Sequence, residues 1–492
     1  MNFVKNNIDK ILLFSFILLY IIYFSYFTIL RHNGLYTQYF DLGIMDQTVF
    51  NTFKGRILEM TNTHGIENIK RMAIHNDIFL ALLAPFYAIY KGPQTLLVIQ
   101  SIIIALGAIP LYLLSKKVLK SKIFSVVLSF SYLIFSPLQR ANIFDFHAVC
   151  LSITFILFMF YFSYIKKYFL SFVFFILAII TKEEVALATC FFGMYLFFKN
   201  TLSWKDKKLR FSFSLKSSII KFALLVILIS IIWFVLSIWV IMPYFRKGQH
   251  FAISYYSGFG DSAGNIISGI ISNPIKTISI FFQKQSLMYF FFFIAPLFFF
   301  PIFAPEILIL SLPEFAINLL SSNQYMRSLY LQYVSVIIPF VFIATIFGVK
   351  RVLNKVKFIN IKIISFLILI STLLFAYLFG PLPFSRKKDI HPFMFPRKES
   401  EKVLEWEKKL KDESLIISAT DFIAPHFTNR KTFYIFSDRY KLADYVLVRT
   451  DRINKHYQKD ALIKAYTELK DNNKFKLIDK YDNFEVYMKV KH

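Results

Sequence analysis

Long apolar runs broken by short basic segments fill the chain as far as about residue 380, and then they stop. The runs lie at 11–30, 94–115, 122–138, 148–165, 168–181, 184–199, 219–243, 287–303, 304–320, 328–349 and 361–380. A helix crosses the ~30 Å hydrocarbon layer with roughly 20 apolar residues, so these runs predict a polytopic α-helical membrane domain of about 11–13 helices. The shorter run 78–90 would reach only about 20 Å as a helix, and it reads as interfacial or re-entrant. Run 11–30 is too long for a signal-peptide core and lacks a small-residue cleavage site, so it reads as a permanent anchor.

Beyond residue 384 the pattern changes to short alternating segments. Strands are expected at 415–418, 431–436 and 445–448, with a hairpin over 474–488 turning at Asp482-Asn483. Helical periodicity covers 399–411 and 456–470. The chain therefore divides into a membrane domain (1–380), a linker (381–398) carrying Pro381, Pro383, Pro392 and Pro396, and a small soluble α/β domain (399–492).

Composition supports this reading. Of 492 residues 56% are hydrophobic, 61 are Phe, and the mean hydropathy is +0.53, more apolar surface than a soluble core needs. A formal charge of +27 would suggest nucleic acid in a soluble protein. Here Lys and Arg sit in short loops between spans, as the positive-inside bias dictates, and no basic–aromatic module accompanies them, so nucleic acid is not an expected partner. The two cysteines, Cys150 and Cys190, lie in apolar runs and form no disulfide framework.

The basic segments at Lys5/Lys10, 116–122, Lys166/Lys167, 199–216 and 350–357 can all share one side if 78–90 does not cross. Taking that side as the cytoplasm gives a multi-pass cell-membrane protein with a cytoplasmic N-terminus. The first loop (31–77), 139–147, 181–184, 244–286, 321–327 and the tail then face outside. Most of the chemistry-bearing residues fall in those segments.

In the first loop, Asp41 precedes a short amphipathic helix ended by Gly55, where it could be an N-cap. Asp46 lies about 140° further round, so a site using both carboxylates would need a turn at Gly43. His75-Asn-Asp77 and Asp145-Phe-His147 each set His and Asp two residues apart, on one side of an extended chain. Each pair could bind a metal ion or a sugar hydroxyl, or cap the helix that follows. Lys182, Glu183 and Glu184 interrupt two runs too short to cross comfortably, which puts ionisable groups in a recess where they need a polar cavity. Arg140 and Arg327 could grip a phosphate or anchor headgroups. The glycine-rich stretch 255–269 could close over a site or be slack linker. No Ser/His/Asp or Cys/His arrangement stands out, so acid–base or electrostatic chemistry is expected.

Asp41-Leu-Gly-Ile-Met-Asp-Gln47, His75-Asn-Asp77, Ala84-Pro-Phe-Tyr87, Asn142-Ile-Phe-Asp-Phe-His147, Lys182-Glu-Glu184 and Arg327-Ser328 occur in this order. Pro425-His-Phe-Thr-Asn-Arg430 and Ala443-Asp-Tyr-Val-Leu447 follow in the tail. Together they resemble a bacterial and archaeal membrane-protein family classed as a domain of unknown function and regarded as related to the GT-C glycosyltransferases. The resemblance implies an enzyme that moves a sugar from a polyprenyl-phosphate carrier to a glycan, lipid or protein acceptor on the external face, with inversion. It implies an acidic base in the first external loop, Asp41 or else Asp46. His75, Asp77, Arg140, Asp145, His147, Lys182, Glu183, Glu184 and Arg327 would bind substrate. A divalent metal would draw on Asp41, His75, Asp77, Asp145 and His147. Gln332 stands before Tyr333 where such proteins often carry His, which argues against a metal or proton relay there. A transporter or lipid flippase and a non-catalytic scaffold are the competing classes; the first predicts matched broken helices in repeated halves, and no repeat is visible.

Overall fold

A computed structural model describes residues 2–205, 208–246, 248, 250–386, 395–455 and 458–490. Among the described residues five helices are long and apolar enough to cross a membrane, namely Asn7–Asn33, Pro93–Leu119, Ser218–Arg246, Gln332–Lys355 and Ile361–Phe379. Two bent pairs, Lys122–Leu133 with Ser136–Ile143 and Pro274–Phe281 with Lys284–Leu297, raise the number to seven. The other expected crossings at 148–199 are shorter apolar helices, Ala148–Tyr164, Tyr168–Ile179 and Val185–Thr201.

The expected crossings 287–303 and 304–320 are not two regular helices. The chain breaks at Phe298 and Phe299, both at positive φ. It then advances through the single turns Phe300–Phe303, Pro305–Leu308 and Ile309–Ser311 before the helix Leu312–Leu320. Pro296, Pro301, Pro305 and Pro313 each stand at the first or second position of one of these pieces. Proline lacks the N–H that continues a helix and clashes with the preceding turn, so four in eighteen residues segment what hydropathy alone joins. Run 78–90 becomes the turns Leu80–Leu83 and Ala84–Ala88, and it does not cross.

The first helix shows how the domain sorts its surface. Tyr20, Phe24 and Phe27 are buried against the bundle, whereas Leu18, Leu19, Ile22 and Tyr26 are more than half exposed, a face that only lipid satisfies. Asp9 accepts from Tyr112 and Lys116, the latter at 3.2 Å, and lies 3.6 Å from Lys122. Arg351 grips Glu306 through two bonds of 2.7 and 2.9 Å.

Nine strands occur among the described residues: β1 (Glu59–Thr61), β2 (Asn68–Lys70), β3 (Leu202–Lys205), β4 (Lys208–Phe211), β5 (Ile417–Ala419), β6 (Phe433–Ile435), β7 (Tyr445–Arg449), β8 (Phe475–Tyr481) and β9 (Phe484–Lys489). The first four form two hairpins. The tail sheet has the order β6-β5-β7-β9-β8, with β6, β5 and β7 parallel and the hairpin β8–β9 antiparallel on β7. Helices Ser400–Lys409 and Lys459–Asp471 accompany it. Asp482 turns the hairpin in a left-handed conformation. Of the expected linker, Pro392 lies outside the described residues.

The tail does not stand apart from the first loop. Leu35, Tyr39, Ile44 and Met60 share one core with Val403, Trp406, Ile417, Phe433, Leu447 and Val486. Polar bonds seal the joint. Arg439 donates to the carbonyls of Asn62, Thr63 and Gly65, Phe433 N–H donates to Thr61, and Gln47 donates to the carbonyls of Arg430 and Lys431. Arg430 is spent on the carbonyls of Leu410, Asp412, Leu415 and Phe427. His426 bonds Glu407 at 2.7 Å and stacks on His32 with ring centres 4.0 Å apart.

Asp46 belongs to this joint. Fully buried, it accepts the hydroxyls of Tyr87 at 2.7 Å and Thr428 at 2.6 Å. Burial pushes its carboxyl up to about 7, against the opposing hydroxyl bonds. The folded carboxyl thus keeps its proton to about pH 7, while the unfolded one, at the ordinary 3.8, releases it earlier. Stability is full below that lower value and falls, by up to about tenfold in the folding constant per pH unit, as pH rises toward 7. Asp46→Asn should remove this component, so the fall in thermal midpoint between pH 5 and 7.5 should be smaller in the variant than in the wild type, measured in detergent by intrinsic fluorescence.

Candidate functional site

Residues Tyr39–Gly43 form one wide π-helical turn that runs straight into the helix Ile44–Phe53. Because Gly43 is itself helical, Asp41 caps nothing. Its Oδ1 instead meets Nε2 of His147 at 3.0 Å; the carboxylate side chain is 22% exposed and the imidazole 8%. Asp46, five residues on, points into the tail joint, so the two acids do not form one site.

Three other segments fix the Asp41 turn. Asp145 sits at φ 50°, so the extended two-residue geometry does not apply to it and His147. They nevertheless converge on the same strip of the first loop. Asp145 Oδ2 accepts the N–H of Gln38 at 2.8 Å while His147 takes Asp41. Gln100 holds their loop, donating to the carbonyls of Asn142 (3.0 Å) and Asp145 (2.8 Å) and accepting His147 N–H (2.9 Å). From the tail, Asp421 Oδ1 accepts the N–H of Tyr39 at 2.8 Å. Burial pushes the Asp145 carboxyl up to about 8, opposed by Arg31 and reinforced by Asp41. Burial also lifts Asp421 to about 6, opposed by the Tyr39 N–H and reinforced again by Asp41. Two acids therefore flank the turn that carries Asp41, and burial raises the carboxyls of both.

A second polar group lies at the recessed turn. The helices flanking 181–184 run Tyr168–Ile179 and Val185–Thr201, and the first, at about 18 Å, is too short to carry the turn to the surface. Lys182 pairs with Glu184 at 2.7 Å. Glu183 takes Nδ1 of His75 at 2.8 Å and the N–H of Asn76 at 2.9 Å. His250 and Arg246 both donate to the carbonyl of Ile74 beside them. The two groups meet at Tyr333, which lies within electrostatic reach of Lys182, Asp41 and Glu184. Lys182 Nζ is 5.8 Å from its ring centre. Arg140 stacks 4.4 Å over Tyr330 and donates to the carbonyl of Phe379 at 2.7 Å. Two cations thus lean on the segment 330–333.

Other expected members lie elsewhere. Asp77 is clasped by Arg71 through Nε and Nη2 at 2.9–3.1 Å, both side chains almost wholly buried, so His75 and Asp77 diverge. Arg327 donates to the carbonyls of Leu319 and Ser321 and to Gln285, which ties its own loop. Among the described residues no three His, Cys, Asp or Glu side chains converge as a metal site. The divalent-metal set Asp41, His75, Asp77, Asp145 and His147 is split between separate partners. Gln100, Tyr333, Asp421, Arg246 and His250 join the site without a motif of their own; Asp421 carries no local signal because it works across a gap of 382 residues. Asp77→Ala, which strands a buried arginine, should cost about 3–5 kcal/mol of stability and reduce any activity only in proportion to folded protein, as chemical unfolding of the variant would show.

Sequence and structure comparisons bear on the chain as a whole. A family model described as "Predicted membrane protein (DUF2079)" matches residues 31–485. No curated protein matches. Among solved structures, the archaeal oligosaccharyltransferase AglB from Archaeoglobus fulgidus, in complex with an inhibitory peptide and a dolichol-phosphate, is similar at a TM-score of 0.42 and 12% identity, over 99% of this chain and 75% of that one. That degree of likeness carries no argument about activity.

Proposed function

From a chain that belongs to the DUF2079 family of predicted membrane proteins, we propose a glycosyltransferase of the GT-C type that moves a sugar from a polyprenyl-phosphate carrier to an acceptor at the external face. The observation that carries this reading is the part-exposed Asp41 carboxylate held by buried His147, with Lys182 beside Tyr333, a residue within electrostatic reach of both. With Nε2–H of His147 fixing one oxygen, the other is free to take the proton of an acceptor hydroxyl or amide as that atom attacks the anomeric carbon. The new bond forms on the face opposite the carbon–oxygen bond that breaks, so configuration inverts. The charge left on the departing polyprenyl phosphate falls to Lys182 or Arg140. Asp145 and Asp421 hold the turn by two backbone N–H groups. Glu183 with His75, and Glu184 with Lys182, supply hydroxyl-binding edges.

Asp41→Asn in the full-length protein reconstituted in liposomes should lower the rate of sugar release from a synthetic polyprenyl-phosphate sugar by at least about 100-fold, with an unchanged thermal midpoint. Lys182→Gln should act on donor KM and rate together. An Asp41→Asn protein as active as wild type would remove the base from this reading. Donor lipid exchanged between leaflets without cleavage would favour the flippase alternative.

A further inference from the structure

The tail sheet has a feature that the transfer chemistry does not use. Strands β6, β5 and β7 are parallel, and the chain leaves the end of β5 toward β6 on one side and reaches β7 on the other. This is a topological switch point, and the crevice outside the carboxyl ends of such strands is where open α/β sheets bind ligands. A cleft lies at that spot. Thr420 and Asp421 follow β5, Ser437 and Arg439 follow β6, Arg452 follows β7, and Phe40 with His64 of the first loop roofs it. Its volume of about 80 Å³ compares with roughly 10–15 Å³ for one water by that measure. It therefore takes a group of several heavy atoms, the size of an oxyanion, and not a nucleotide.

The charge beside it is built for an anion. Arg449, the last residue of β7, has a side chain only 2% exposed. Its Nη2 bonds Asp451 at 3.0 Å and lies 4.0 Å from Glu399, but its Nε and Nη1 are buried without a hydrogen-bond partner among the described residues. Arg452 stacks 4.4 Å over Phe422, and its Nε, 3.6 Å from Asp451, is likewise buried without a hydrogen bond to the described residues. Arg397 lies 5.7 Å from the centre of the same Phe422 ring. Buried guanidinium donors left unpaired are costly, and a planar or tetrahedral oxyanion is the group that satisfies them bidentately.

We propose that the cleft at the carboxyl ends of β5, β6 and β7 is an oxyanion site that binds a phosphate-class group through Arg452, with Arg449 behind it. Occupancy bears on the Asp41 turn, because Asp421 on the cleft wall accepts the Tyr39 N–H. Anion binding itself stands apart from the transferase reading.

The test uses full-length protein in nanodiscs of zwitterionic phosphatidylcholine, titrated with inorganic phosphate against chloride at constant ionic strength, with calorimetry and thermal shift as readouts. Saturable binding is expected, weakened at least tenfold in Arg452→Gln, with that variant's midpoint without phosphate unchanged. Arg449→Lys, which keeps the buried charge but loses the fork, should weaken binding by a similar factor. Phosphate should also slow hydrogen exchange in the peptide containing Tyr39. Nanodiscs carrying phosphatidylglycerol separate the sources: a lipid headgroup as the natural occupant raises the apparent phosphate Kd there, and a soluble phosphate leaves it the same. Absence of saturable binding in both discs, or equal affinity in wild type and Arg452→Gln, overturns the proposal. Neither result depends on sugar transfer.

Discussion

Among the bonds that tie the tail to the first loop, the one from the Tyr39 N–H to the Asp421 carboxylate is the one that holds the turn bearing Asp41. The turn it holds presents Asp41, and that turn is a wide π-helical one with little rigidity of its own. On the membrane side Asp145 secures the preceding residue by the same device. A carboxylate that must point one way in a polar recess is thus positioned by two others that bind only backbone. Burial raises both of their carboxyls above the ordinary range. The arrangement needs the tail, the first loop and the 142–147 loop in place together, and the shared core of Leu35, Tyr39, Ile44 and Met60 with the tail strands is what brings them there.

Much of this was legible in the residues because hydropathy and charge act locally. The apolar runs, the basic ends, the non-crossing 78–90 segment and the β8–β9 hairpin at Asp482 are each written in fewer than about 25 consecutive residues. The segmented 295–311 stretch shows the limit of window hydropathy: Phe-rich runs look continuous until the spacing of Pro296, Pro301, Pro305 and Pro313 is weighed as backbone geometry. The recessed 181–184 turn was legible for the opposite reason, since the flanking runs are visibly short.

Side-chain direction was harder to read. Asp41 and Asp46 go to different partners, and those partners, His147 and the Thr428–Tyr87 pair, lie 106 and up to 382 residues away. The His75/Asp77 and Asp145/His147 pairs look alike in sequence and behave differently. Arg71 captures Asp77, whereas a left-handed residue at 145 lets both members of the second pair reach the same loop. No local rule distinguishes the two, because the difference rests on a partner's presence and on one backbone angle.

The shared core also sets an order of events during synthesis. The first loop is made early, yet its apolar residues are completed by strands that come last. At translation rates of about 5–20 residues per second, a separation of 382 residues means that the loop waits roughly 20–75 s for its counterpart. Throughout that interval Leu35, Ile44 and Met60 lack their natural cover, at a membrane surface able to absorb them. The finished protein is a closed unit, but its assembly has a long open phase in which a chaperone, a neighbouring chain or the bilayer itself must stand in for a domain not yet made.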